Sequence, residues 1–264
     1  MRRLVDVTVA LAAGLLCHAT FAVAVGSMAL GLVSGMQFGL GRLPAPWSLL
    51  ANGLLLVQFP ALHSLLLTAR GRRFLQGVIP GPRGATLTAT TFVITSSLQL
   101  TLLFLGWTPS GVVWLHPHGS AAWLLHLPFA LSWAFLLRSL YDAGMGLQTG
   151  SLGWWALLRG RRPEYPPLPD RGVFRGCRQP IYLAFFLLLW TAPTWSPDHL
   201  VLALAWSPYC ILAPRWKERR FERCFGPAFS SYRSRVPYFL PRMLVGCLRS
   251  SAHPTGRRDA SHTP

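Results

Sequence analysis

Two short stretches carry the residue types from which a small charged ligand can be held. Residues 172–182 read GVFRGCRQPIY and supply Arg178, Gln179 and Tyr182. Residues 215–223 read RWKERRFER, in which Glu218 is an acid among Arg215, Lys217, Arg219, Arg220 and Arg223. A guanidinium forks onto a carboxylate, and a carboxylate accepts from an ammonium. Aromatic faces attract a cation, a sulfonium included. If Arg178, Tyr182 and Glu218 converge, they form a site for a zwitterion. The same residues also suit a salt-bridged helix at a membrane surface, and local composition by itself favours that plainer reading.

Other polar residues are candidates because polar groups inside apolar segments are costly. His63 and Ser64 stand near the end of an apolar run. Arg138 and Asp142 are four apart, so on a helix they share a face and can pair. His116 and His118 lie in a loop without enough further ligands for a metal. For all of these a structural role is the simpler expectation. The five cysteines are scattered and lack CxxC spacing, which argues against a disulfide framework and a structural zinc site.

The elements that must position these residues are set by apolarity. Of 264 residues, 52% are hydrophobic and 12% charged, about half the charged share of soluble domains. Apolar runs at about 4–33, 47–68, 85–107 and 121–141 are each long enough to cross a bilayer as a helix. The first is too long for a signal-peptide core and is followed by no clear cleavage site. A fifth block, about 181–213, is interrupted by the Pro193 to Pro197 stretch. Proline removes a backbone donor and disfavours helix before it. The block therefore reads as two short helices joined by a tight turn, a hairpin whose arms can be tilted or fall short of a full crossing. Residues 150–180 read as a semi-extended Arg-, Pro- and Gly-rich connector. The expected fold is all-α: a polytopic transmembrane bundle of four long spans, a C-terminal hairpin and a cytoplasmic juxtamembrane helix. One domain covers 1–245, and the polar tail 246–264 is expected to lack fixed structure.

Charge orients the bundle. The net charge is +17, almost all arginine; Lys217 is the only lysine. Basic residues flank span one at Arg2 and Arg3, follow span two at Arg70 to Arg83, and follow span four at Arg159 to Arg178. They return after the hairpin, from Arg215 onward. Residues 108–120 and 193–199 carry none, and the loop after span one carries only Arg42. This alternation predicts cytoplasmic N- and C-termini. Membrane topology and contact with the lipid bilayer account for the arginines; no nucleic-acid-binding motif accompanies them.

Residues 178–182 (RQPIY), 217–221 (KERRF) and 225–232 (FGPAFSSY), with Val236-Pro237, resemble the isoprenylcysteine carboxyl methyltransferase superfamily of membrane enzymes. Its motifs read Arg-His-Pro-x-Tyr, Glu-Glu-x-x-Leu and Phe-Gly-x-x-Tyr-x-x-Tyr. Residues 59–64, 103–109, 142–148, Phe174-Arg175 and 190–200 resemble its bacterial methanethiol S-methyltransferase branch. The resemblance covers most of residues 50–241. It implies S-adenosyl-L-methionine as methyl donor, a small thiol as acceptor, and conversion of methanethiol to dimethyl sulfide in a bacterial-type cytoplasmic membrane. It further implies that Arg178, Gln179, Tyr182, Glu218 and Tyr232 bind the donor, within a part spanning about 145–241. It implies no metal and assigns no catalytic residue. Two positions depart from the family: Gln179 stands for its His, and Lys217 for its first Glu. Gln can hydrogen-bond but cannot titrate, and Lys reverses a charge. The departures leave three further readings: an altered substrate such as a lipidic acceptor, an inactive protein of the same fold, or one put to another use.

Overall fold

The computed structural model describes residues 2–240. The tail expected at 246–264 lies outside the described residues. Among those described there is no strand; the only extended pairing is a bridge between Leu115 and Trp195. The described residues form ten α-helices: α1 Arg2–Val33, α2 Trp47–Leu66, α3 Ala69–Gly77, α4 Pro82–Gly106, α5 Trp123–Asp142, α6 Met145–Gln148, α7 Ser151–Leu158, α8 Pro180–Trp190, α9 Pro197–Phe225 and α10 Pro227–Arg235.

Helices α1, α2, α4 and α5 are long and apolar enough to cross a membrane. Between 17% and 44% of their most apolar windows is buried inside the protein. The rest faces outward, as Leu15, Leu49, Leu54, Leu102 and Leu131 do. Water would penalise so much exposed hydrocarbon, whereas lipid accepts it. The chain is therefore a membrane protein.

One core joins the spans to the hairpin. Leu32 of α1 and Met36 just after it, Leu103 and Phe104 of α4 and Trp107 just after it, Leu188 from α8, and Leu202, Ala203 and Trp206 from α9 pack into a single cluster. Phe129 and Leu136 of α5 close one side and Leu56 of α2 the other.

The hairpin differs from its expected form. Its second arm is long, because α9 runs unbroken through the juxtamembrane sequence for 29 residues. Pro208 and Pro214 lie inside it; each removes one donor, a loss that helices packed in membranes tolerate. The connection is not a tight turn. Trp190 donates from its indole to Ser207 Oγ at 2.8 Å, ten residues into α9. Residues 191–196 then cover the remaining length without helix, and Ser196 caps α9 by accepting from the His199 amide at 3.0 Å.

The expected connector also begins later than residue 150. Residues 151–158 read SLGWWALL and form α7, packed against α1 and α4. Gly150 adopts φ +76°, which favours glycine, and its carbonyl accepts from Thr90 Oγ1 at 2.6 Å. Thr90 Oγ1 in turn accepts from the Trp154 amide at 3.0 Å. An apolar run of eight residues next to a helical bundle gains more by packing than by staying extended. Chain without regular structure follows, from about residue 161 to 171.

Candidate functional site

The hairpin brings the two chemistry-bearing stretches together at the basic end of the bundle. Pro180 occupies the first turn of α8, where its missing donor costs nothing. Gln179 therefore stands at the helix start, and its side chain crosses to α9. Gln179 Nε2 donates to Glu218 Oε1 at 2.8 Å, and both residues are buried. Gln179 Oε1 accepts from Lys217 Nζ at 3.3 Å. A single amide thus links the acid to the lysine: its NH2 faces the carboxylate and its carbonyl faces the ammonium.

Arg178 adds a second cation. Its Nε lies 3.2 Å from Glu218 Oε1, yet outside hydrogen-bond geometry, so this buried N–H has no acceptor among the described residues. The arginine is held in place by other bonds. Its amide donates to the Pro237 carbonyl at 3.0 Å, and its Nη1 to the Arg233 carbonyl at 3.1 Å. The guanidinium also lies 5.6 Å from the Tyr238 ring centroid.

Aromatic faces surround the lysine. Its ammonium lies 5.1 Å from the Phe221 ring centroid and 5.9 Å from those of Phe174 and Tyr182, within the range of cation–π attraction. Burial, then the nearby Arg220 guanidinium, push Lys217 down to about 8.

The segment after α9 forms the wall of this cluster. Gly226 turns the chain at φ +49° between α9 and α10. Phe229 then packs edge-on against Phe221, their centroids 5.9 Å apart. Tyr232 donates its hydroxyl to the Phe174 carbonyl at 2.7 Å and is buried. Cys177 Sγ donates to the Phe239 carbonyl at 2.9 Å. Burial pushes that thiol up to about 11.

Of the five residues expected in the site, Arg178, Gln179 and Glu218 are in direct contact. Tyr182 joins through its ring, and Tyr232 supports the wall with its hydroxyl already engaged. Sequence reading missed Phe174 and Phe221 as faces around the cation. Phe174 lies four residues before Arg178 and Phe221 four after Lys217, and only the tertiary fold aims both at one point. It also treated Gln179 and Lys217 as separate departures, whereas they touch.

The other candidates have structural partners. Arg138 Nε pairs with Asp142 Oδ2 at 3.0 Å, and the same oxygen accepts from the Val173 amide at 2.9 Å, bracing the 3-10 turn Gly172–Arg175. His63 Nδ1 lies 3.2 Å from Ser96 Oγ, and His116 Nδ1 lies 3.1 Å from Thr194 Oγ1. No cluster of potential metal ligands occurs among the described residues.

Beside Tyr182, on the α2 side, lies a cavity of about 670 Å³ between α2, α3, α8 and α9. Its apolar wall includes Ala61, Leu65 and Ala213.

Against known proteins, the chain is 29% identical over 198 residues to methanethiol S-methyltransferase 2 of Bradyrhizobium diazoefficiens, with 75% of each chain covered. It is 27% identical over 202 residues to the methanethiol S-methyltransferase of a Pseudomonas strain, again over 75% of each. It is 28% identical to that of Mycobacterium tuberculosis over 75% of this chain and 80% of the relative. The chain resembles the methanethiol S-methyltransferases. No family model and no solved structure matches it. The similarity extends over three quarters of the chain, far beyond the motifs of the hairpin.

Proposed function

We propose that this chain is an integral membrane methyltransferase that uses S-adenosyl-L-methionine to methylate a small thiol, with methanethiol converted to dimethyl sulfide. The observation that carries this reading is the contact of Arg178, Gln179, Lys217 and Glu218 beneath three aromatic rings, in a chain similar to proteins named for that reaction.

The residues present fit such a donor. Arg178 Nε is a buried N–H without an acceptor, suited to a carboxylate oxygen. Glu218 has acceptor capacity beyond its one bond to Gln179 and suits an ammonium or a ribose hydroxyl. Phe174, Tyr182 and Phe221 already face a cation. When bound, the donor supplies an electrophilic methyl group on a sulfonium. The chain's part is to align the acceptor sulfur with that carbon and to exclude water. Carbon–sulfur bond formation accompanies cleavage of the donor's sulfur–methyl bond, and the thiol proton leaves to solvent. A bound sulfonium would have to displace the Lys217 ammonium from those rings. The donor-binding part is 145–241 of a single domain. The basic end is cytoplasmic by the positive-inside rule, which places both termini, and the donor's access, on that side.

A second reading has one observation in its favour: Lys217 puts a cation where a donor's cation would sit. A chain that keeps the fold without binding the donor fits that arrangement. The deciding experiment supplies radiolabelled S-adenosyl-L-methionine and a panel of thiols to membranes containing the protein. Labelled dimethyl sulfide from methanethiol, lost in Glu218→Gln, supports the enzyme. Donor binding without product from any thiol would redirect the acceptor to a lipid. No donor binding would favour the second reading.

A further inference from the structure

The cavity beside Tyr182 has a composition that the methyl-transfer reading does not use. Arg72, Arg219, Arg220 and Arg223 all line it, and among the described residues no carboxylate does. The acids of this region are engaged elsewhere, Glu218 beside Arg178 and Glu222 with Arg233. Arg220 is half-buried. Burial and the neighbouring Arg72 and Arg223 guanidiniums hold it below the ordinary arginine value. Four like charges around one concavity repel each other, and an anion relieves that repulsion.

Hydrocarbon lines the rest: Ala61, Leu65 and Leu67 come from α2 and its end, and Ala213 and Trp216 from α9. Ser64 and Tyr209 also line it, their hydroxyl oxygens 3.4 Å apart. Along α9 the lining runs from Tyr209 through Ala213 and Trp216 to Arg219, Arg220 and Arg223, so hydrocarbon lies below the cations as an acyl chain lies below its headgroup. A basic recess between membrane helices is where anionic headgroups bind. We propose that this cavity holds one anionic phospholipid, its phosphodiester among Arg72, Arg219, Arg220 and Arg223 and an acyl chain along α2 and α9.

The test uses the full chain in neutral detergent and counts retained lipid by native mass spectrometry. Dioleoyl phosphatidylglycerol is the probe. Dioleoyl phosphatidylcholine, with the same chains and no net charge, and inorganic phosphate are offered at matched concentrations. One phosphatidylglycerol retained in preference to both is the expected result. Arg72→Gln with Arg220→Gln should weaken that retention about twenty-five-fold, taking each arginine as worth roughly a factor of five. Arg161→Gln with Arg162→Gln removes the same charge from the connector and should leave retention unchanged. Ala61→Phe fills the apolar wall without touching an arginine; it should also displace the lipid, and it covers the case in which the arginine variant does not fold. Equal retention of phosphatidylcholine, equal binding of inorganic phosphate, or an equal loss in the connector variant would each overturn the proposal. No step of the test depends on methyl transfer.

Discussion

Helix α9 carries a buried carboxylate near each end, and the two are solvated by the protein in different ways. At its start, Asp198 accepts from Gln37 Nε2 at 2.8 Å, Trp107 Nε1 at 3.1 Å, the Ser110 amide at 3.0 Å and Ser110 Oγ at 2.5 Å. All four donors are neutral, and they tie the ends of α1 and α4 to α9. Twenty residues later, Glu218 accepts from one amide, that of Gln179. Its cationic neighbours hold it less directly: Arg178 Nε lies 3.2 Å away outside hydrogen-bond geometry, and Lys217, pushed down by burial, reaches it only through Gln179. A carboxylate that four donors hold is a knot. A carboxylate with capacity left over, beside an unpaired donor, is a place for a ligand.

The comparison makes its largest prediction at the knot. Asp198→Ala takes the acceptor from four donors, three of them on side chains, and hydrogen bonds to a charged group contribute about 1.5–3 kcal/mol each. Loss of roughly 3–5 kcal/mol of stability is expected, read by thermal unfolding in detergent. Donor affinity of the fraction that remains folded should be unchanged. If Asp198→Ala instead abolished donor binding at full stability, the two ends would have exchanged roles.

The next prediction sharpens the other end. Gln179 can satisfy Glu218 and Lys217 together because an amide has one donating and one accepting side. Lys217→Glu alone sets two carboxylates against that amide and leaves its carbonyl without a donor. Donor binding should fall about tenfold or more. Adding Gln179→His supplies a ring that can donate from both nitrogens, and affinity should recover. A coupling of about 1 kcal/mol or more between the positions is expected. Strict additivity would show that the two departures from the family motif are unrelated changes.

A smaller effect concerns pH. The Lys217 value falls from 10.5 to about 8 on folding. Between those values the unfolded chain holds more protons than the folded one, so stability rises with pH across about 8 to 10.5. Lys217→Met should lack that part of the rise. Parallel stability curves for the two proteins would remove the buried-cation account of Lys217.

Most of the bundle was legible because hydrocarbon length is a one-dimensional signal. The runs that became α1, α2, α4 and α5 are long, apolar and bounded by charge or proline. The juxtaposition of Arg178 with Glu218 was legible too, since a hairpin brings its two ends together. What was not legible depended on partners distant in sequence. Residues 151–158 become helical because Thr90, sixty residues earlier, holds both Gly150 and Trp154. The role of Asp198 could not be read locally, because its four donors come from residues 37, 107 and 110. The arginines after α2 and in α9 read only as topology signals until α3 and α9 set Arg72 against Arg220 and Arg223 across one cavity.

The claim that Glu218, unlike Asp198, is reserved for a ligand is tested most directly by calorimetric titration of S-adenosyl-L-methionine into Glu218→Gln. The substitution keeps the side chain's shape and removes its charge. One charge-assisted bond at about 1.5–3 kcal/mol corresponds to a loss of about ten- to a hundredfold in affinity, at about 1.4 kcal/mol per factor of ten. Glu222→Gln is the control. That residue lies one helical turn further along α9 in an exposed pair with Arg233 at 3.4 Å, and such pairs contribute little, so affinity should be nearly unchanged. Unaltered affinity in Glu218→Gln, with only a lower unfolding temperature, would make Glu218 a second knot and contradict the account.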